Sequence, residues 1–133
     1  MTEPLRTIAV AVVVHEGRVL VGRRSTTAPE APGLAEFPGG KVEEHETAAE
    51  AAVRECLEEA GIAIRVGGRS LDVASTQSRP HLFVSFQWAT PVDPAAVPKA
   101  PFEWIPIGQL PQLDFPAPNA PILAMLAHDY GGS

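Results

Sequence analysis

Apolar and polar positions alternate along this chain in blocks whose lengths suit secondary-structure elements. Residues 8–14 are seven consecutive apolar side chains, the pattern of a strand buried on both faces. His15-Glu16-Gly17-Arg18 then reads as a turn, and residues 19–21, Val-Leu-Val, return as the second strand of a hairpin. Ser25 to Gly33 breaks both periodicities with Pro29 and Pro32 and is expected to be a loop, placed to act as a lid over Phe37-Pro38-Gly39-Gly40. The period then changes. Ala49, Ala52, Val53, Cys56 and Ala60 form one stripe at helical spacing, Thr47-Ala48-Ala49-Glu50 supplies a capping box, and Gly61 closes the helix.

Downstream, residues 71–75 and 82–90 are strand-like and residues 102–107 form a shorter extended piece. Nine of the fourteen prolines fall between Pro91 and Pro121, a density typical of disordered linkers. Phe102, Trp104, Ile105, Ile107, Leu110, Leu113 and Phe115 recur among them, however, and predict an ordered, irregular segment packed on the domain. Residues 122–130 read as a closing helix, with Asn119 as its N-cap and Pro121 in its first turn.

Composition narrows the function classes. A chain of 133 residues with 45% hydrophobic content is expected to form a single domain over residues 1–133. Its longest apolar run is far shorter than a membrane span and no signal-peptide pattern opens it, so a soluble, cytoplasmic protein is expected, with no membrane partner. Cys56 is the only cysteine, which precludes an internal disulfide and favours a packing role. A formal charge of -6 disfavours nucleic-acid backbones as partners and is compatible with a small phosphorylated substrate met by local cations. Arg23, Arg24 and Lys41 flank the loop before the predicted helix and are candidates for that task. Monomer and homodimer both remain open.

The chemistry concentrates in the helix. Glu43, Glu44, Glu46, Glu50, Glu55, Glu58 and Glu59, seven of the sixteen acidic residues, lie between Gly40 and Ile62. Glu55, Glu58 and Glu59 share one helical face and repel one another. Arg54 offsets part of this repulsion, and a hard divalent cation such as Mg²⁺ would offset much more. His15, His45, His81 and His128 have no common spacing and are read as surface or structural residues.

Gly40, Glu46, Arg54, Glu55, Cys56, Glu58, Glu59, Gly61 and Ile62 match G-x5-E-x7-R-E-U-x-E-E-x-G-U, the signature of the Nudix hydrolases, with U a bulky apolar residue. Cys56 is small for its U position and is the one soft match. Glu36-Phe37-Pro38-Gly39-Gly40-Lys41, Phe102-Glu103-Trp104 and Asp114-Phe115-Pro116-Ala117-Pro118-Asn119 extend the resemblance to the MutT-like branch over nearly the whole chain.

That resemblance implies an α+β fold, an α/β/α sandwich with a mixed sheet. It implies Mg²⁺-dependent hydrolysis, with Mn²⁺ as a substitute, of a nucleoside triphosphate to the monophosphate and pyrophosphate, an oxidised or modified purine such as 8-oxo-dGTP leading. A pyrimidine triphosphate or another nucleoside-diphosphate-X substrate is the alternative; a non-catalytic nucleotide sensor would be expected to have lost a carboxylate that this chain keeps. By the same resemblance Glu58 and Glu59 hold metal with the Gly39 carbonyl, and Glu55 ligates metal and takes the water's proton. Glu103 joins from its loop, Arg54 orients the carboxylates with support from Glu46, and Lys41 faces phosphate. Substrate contacts fall to Arg23, Arg24, Glu36, Phe37, Pro38 and Asn119, the last either as helix cap, as base contact or as both. Phe83, Phe86 and Trp88 are either core or pocket wall, and Ala35, where many MutT-like chains carry a larger residue, implies a wider base pocket.

Overall fold

The computed structural model describes residues 6–27, 32–75 and 82–130. The apolar run becomes β1 (Arg6–His15), and the two-residue turn Glu16-Gly17, with φ of 50° and 75°, returns it as β2 (Arg18–Arg23). Left-handed backbone at both turn positions matches the right-handed twist of the strands it joins. Beyond β2 the chain adds β3 (Ala35–Glu36), β4 (Gly39–Lys41) and the helix α1 (Ala48–Ala60), then β5 (Ile64–Ser75), β6 (Leu82–Pro91), β7 (Glu103–Pro106) and the helix α2 (Ala120–Tyr130).

β1 is the strand at which the sheet forks. One edge runs parallel to β6, from Arg6 opposite Leu82 to Val13 opposite Ala89. The other edge is shared: β4 pairs antiparallel with Ile8, Ala9 and Val10, and β2 pairs with Val14 and His15. β6 carries β5 antiparallel on its far side, while β2 carries β3 and β7 on its own. The result is the mixed sheet that the family resemblance implied.

Alternation along β1 sends neighbours to opposite faces, so each face of the sheet acquires its own core. Ala9, Ala11 and Val13 meet Ala51, Ala52, Cys56 and Ala60 of α1, whose small side chains let the helix sit close to the sheet. Val12 and Val14 meet Phe86, Trp88, Ile107 and Leu110, with Ile122 and Leu126 of α2 above them. Helix, sheet and helix thus form three layers. Among the described residues no helix is long and apolar enough to cross a membrane.

Four departures from the sequence expectations have physical causes. β5 starts at Ile64 rather than at residue 71, because Gly67-Gly68 forms a bulge inside the strand, marked by a register shift between Val66 and Ser70 and a φ of 89° at Gly68. β3 and β4 are two and three residues long and carry too little periodicity to announce themselves. The proline-rich stretch is ordered as expected, but through 3₁₀ turns at Ile107–Gln112 and Ala117–Asn119. The second of these runs directly into α2, so Asn119 is not the accepting cap that its position suggested. Its side-chain amide instead donates back to the Pro116 carbonyl at 3.0 Å. The loop after β2 is closed at its base by Gly33 N–H donating to the Ser25 carbonyl, 3.1 Å, and the expected lid at its tip lies outside the described residues, as does His81.

Candidate metal and nucleotide site

The capping box forms as its spacing required: Glu50 N–H donates to Thr47 Oγ1 at 3.1 Å and Thr47 N–H to Glu50 Oε1 at 2.9 Å. This fixes the start of α1 and hence the rotation of everything that follows. Just upstream, His45 adopts φ 65° in a turn that aims Glu46 back at the helix. Arg54 meets Glu46 there with a two-pronged grip, Nε to Oε2 at 2.7 Å and Nη2 to Oε1 at 3.0 Å. Its remaining donors reach Glu55 Oε1 at 2.8 Å, Glu58 Oε2 at 3.4 Å and the Lys41 carbonyl at 3.1 Å. Only a planar guanidinium serves that many acceptors at once. The hydrogen bond from Arg54, helped by that from the Glu43 N–H, lowers the Glu46 carboxyl to about 2, and its two carboxylate partners raise Arg54 well above its ordinary value.

Strand β4 lies flat against this helix. A Cβ at Gly40 would sit 2.5 to 2.7 Å from the Glu55 carboxylate, and one at Gly39 2.4 Å from the Ala9 carbonyl, so the paired glycines are what lets β4 slip between β1 and α1. Gly39 N–H donates to Glu59 Oε1 at 2.9 Å. Glu59 nevertheless titrates at about 7, because burial outweighs that hydrogen bond and Glu55, Glu36 and Glu58 all repel its charge.

The opposite wall of Gly39 belongs to a cavity of about 300 Å³, lined on its polar side by Arg24, Glu36 and Asn119 and on its apolar side by Phe37, Val84 and Phe86 among others. Arg24 Nη1 donates to Glu36 Oε1 at 3.1 Å. Phe37 stacks obliquely on Phe115, ring centroids 5.0 Å apart, which ties the cavity floor to the segment that delivers Asn119. Pro38 is fully buried, and its carbonyl accepts from Ala11 N–H at 2.8 Å, which locks the loop before the glycines.

Not every candidate converges on this place. Arg23 and Glu103 line a separate cleft of about 110 Å³ beside Val21 and Leu113, and among the described residues no hydrogen bond or ion pair joins Glu103 to the α1 carboxylates. Lys41 has an exposed side chain on β4, beside Arg54 through its carbonyl. Of the three aromatics on β6, Phe86 lines the cavity. Phe83, an odd number of positions away, leaves the strand on the other face, and Trp88 lies further along it beneath the Arg69 guanidinium, 4.6 Å from its ring centre. Ile8, Val10, Leu82, Pro116 and Pro118 complete the cavity without having been singled out in the sequence, since apolar strand residues and prolines carry no chemical signal of their own.

The donor chemistry fits a hard divalent cation. Three carboxylates crowd one face of α1, and burial first, then repulsion by its acidic neighbours, drives Glu59 toward its neutral form despite the hydrogen bond from Gly39. Arg54 Nη1 instead takes up an oxygen of both Glu55 and Glu58, and among the described residues no three acidic, histidine or cysteine side chains stand gathered as a finished ligand set. Gly39, expected to offer its carbonyl, meets Glu59 through its amide. Cys56, buried under the helix with its thiol pushed up to about 12 by desolvation, takes no part.

Known proteins resemble this chain in sequence and in fold. The family model described as NUDIX domain matches residues 5–126. The 8-oxo-dGTP diphosphatase of Escherichia coli (strain K12) is 33% identical over 124 residues, covering 90% of this chain and 94% of that one. The CTP pyrophosphohydrolase of the same strain is 42% identical over 60 residues, 45% of this chain and 44% of that protein. Among solved structures, the MutT protein from Methanosarcina mazei Go1 superposes with a TM-score of 0.73 at 22% identity over 97% of both chains. The E. coli ORF135 protein gives 0.73 at 23% identity over 98% of this chain and 96% of that one. At those identities the structures speak to the fold.

Proposed function

This chain belongs to the Nudix family and is a hydrolase of phosphoanhydride bonds, and from that premise we propose that it cleaves a nucleoside triphosphate to the monophosphate and pyrophosphate with Mg²⁺, as a single domain over residues 1–133. The preferred base is an oxidised or modified purine, as in 8-oxo-dGTP. One observation carries the reading: Gly39 stands between a cavity able to take a base and the Glu59 carboxyl, and Glu36 both lines that cavity and acts on the charge of Glu59. Base recognition and phosphate chemistry then sit on two sides of one strand.

Glu58 and Glu59 hold the divalent cation, Mg²⁺ or Mn²⁺, together with Glu55 and Gly39. Such an ion, when bound, neutralises phosphoryl oxygens and promotes ionisation of water. Glu55 accepts the proton of the attacking water at its carboxylate, and Arg54, gripping Oε1, keeps that group aimed. Lys41, exposed on β4 beside Arg54, faces the phosphates, whereas Arg23 and Glu103 line a cleft of their own. Phe37 lines the cavity floor, held by the loop that the buried Pro38 anchors; Arg24 and Glu36 present a charged pair to the base, and Asn119, whose amide donates to Pro116, offers its carbonyl oxygen to a ring N–H. Oxidised guanine has such an N–H at N7, where guanine has an acceptor.

A pyrimidine triphosphate is the second reading, favoured by the 42% identity to the CTP pyrophosphohydrolase over 60 residues. Pyrophosphate release from 8-oxo-dGTP, dGTP, CTP and methylated nucleotides separates the two. The expected result is a kcat/KM for 8-oxo-dGTP above that for dGTP by about tenfold or more, lost in Glu58→Gln. A CTP preference transfers the assignment to the second reading, and activity that survives full chelation refutes the metal role.

A further inference from the structure

Helix α1 ends in an electrostatic predicament. Its last turns carry Glu58 and Glu59 beside the negative pole of the helix dipole, and no Lys or Arg lies in its own last turn. Its final carbonyls also need partners, because no further turn of helix supplies them. Gly61 N–H, at φ 70°, takes the Leu57 carbonyl at 3.0 Å. Two more, those of Glu58 and Ala60, are met by Lys99, 41 positions beyond Glu58.

Lys99 makes three contacts with this end of the helix. Its backbone N–H donates to the Ala60 carbonyl at 2.8 Å, and its Nζ donates to the Glu58 carbonyl at 3.0 Å. Its methylenes lie over Gly61, where a Cβ would come within 3.2 to 3.4 Å of Cγ, Cδ and Cε. The same residue turns the chain into β7: the Lys99 carbonyl accepts from Phe102 N–H at 2.9 Å, the Phe102 ring packs onto Gly22 of β2, and Glu103 follows in register with Val21. One side chain and its peptide groups therefore connect the segment bearing Glu58 and Glu59 to the strand bearing Glu103 and, across it, to β2, which ends in Arg23.

We propose that Lys99 is a positioning residue for hydrolysis, fixing the last turn of α1 and its two carboxylates relative to β7. It touches neither substrate nor metal and acts through the Glu58 and Ala60 carbonyls. The proposal rests on the reading of Glu58 and Glu59 as the metal-holding carboxylates.

Lys99→Met keeps the methylene path over Gly61 and removes the ammonium donor, and Lys99→Arg restores a donor. Two readouts are taken on wild type and both variants: kcat and KM with a nucleoside triphosphate, and Mn²⁺ affinity without nucleotide by electron paramagnetic resonance of the free ion. Lys99→Met is expected to lower kcat and weaken Mn²⁺ binding, each by about 3- to 10-fold, the effect of one exposed hydrogen bond, with KM within about twofold and Lys99→Arg recovering most of the loss. Removing a positive charge without loss of position would instead tighten Mn²⁺ binding. Tighter or unchanged Mn²⁺ binding overturns the proposal, as does a lowered Tm with kcat intact. If the wild type fails to hydrolyse the nucleotide, the substrate reading falls alone, and the Mn²⁺ measurement still decides on Lys99.

Discussion

Replacing Glu59 by Gln removes a carboxyl whose titration is displaced upward, and the consequence for stability can be worked out in advance. Glu59 moves from an ordinary 4.5 to about 7, chiefly through burial and then through repulsion by Glu55, Glu36 and Glu58. The folded protein therefore binds this proton more tightly than the unfolded chain does. Stability is full below pH 4.5, falls as pH rises, and has lost its whole contribution above about 7. The interval corresponds to about 3 kcal/mol if fully expressed. Glu59 retains solvent exposure, so screening reduces the expected effect to about 1–2 kcal/mol. Gln keeps the Oε1 that accepts from Gly39 and never ionises. Urea unfolding of both proteins in excess chelator at pH 5, 6, 7 and 8 is the assay. The two should be nearly equal at pH 5, and the variant should be more stable by about 1–2 kcal/mol at pH 8, or about 3–8 °C in Tm. Magnesium at pH 8 should close the gap by stabilising only the wild type. A difference that stays constant from pH 5 to 8 would show that the Glu59 carboxyl is not strained by its neighbours, and the electrostatic case for a cation there would fall with it.

Arg54→Lys keeps a positive charge but cannot reach Glu46, Glu55 and the Lys41 carbonyl together, so turnover should drop about 10- to 100-fold at constant charge; near-wild-type kcat in steady-state kinetics would refute the orienting role. Asn119→Asp loses the donor to the Pro116 carbonyl, so it should lower stability by about 0.5–1.5 kcal/mol by denaturant titration and alter the ratio of kcat/KM for 8-oxo-dGTP against dGTP; an unchanged ratio removes Asn119 from the base pocket. Cys56, fully buried and with its thiol near 12, should resist thiol reagents at pH 8 until the protein unfolds, and fast labelling of native protein would contradict the packing of α1 on the sheet.

What the sequence determined by itself was whatever depends on neighbours close along the chain. Thr47, Glu50 and Gly61 define both ends of α1 because caps are made by residues within four positions of each other, and Glu55, Glu58 and Glu59 share a face because a helix repeats every 3.6 residues. The run of apolar residues before Gly17 could hardly be anything but a buried strand beside a tight turn. Tertiary structure decided the rest. Asn119 looked like a cap from its neighbours, yet its amide turns back to Pro116 because a 3₁₀ turn feeds α2 without an extended residue between them. Residues 71–75 read as the strand, yet pairing with β6 on both sides of Gly67-Gly68 carries it back to Ile64 through a bulge. The cavity, the displaced titration of Glu59 and the reach of Lys99 to α1 all join residues far apart in the chain. Their proximity follows from how β1 divides one edge between β2 and β4, a choice made by the packing of two cores and written in no local pattern.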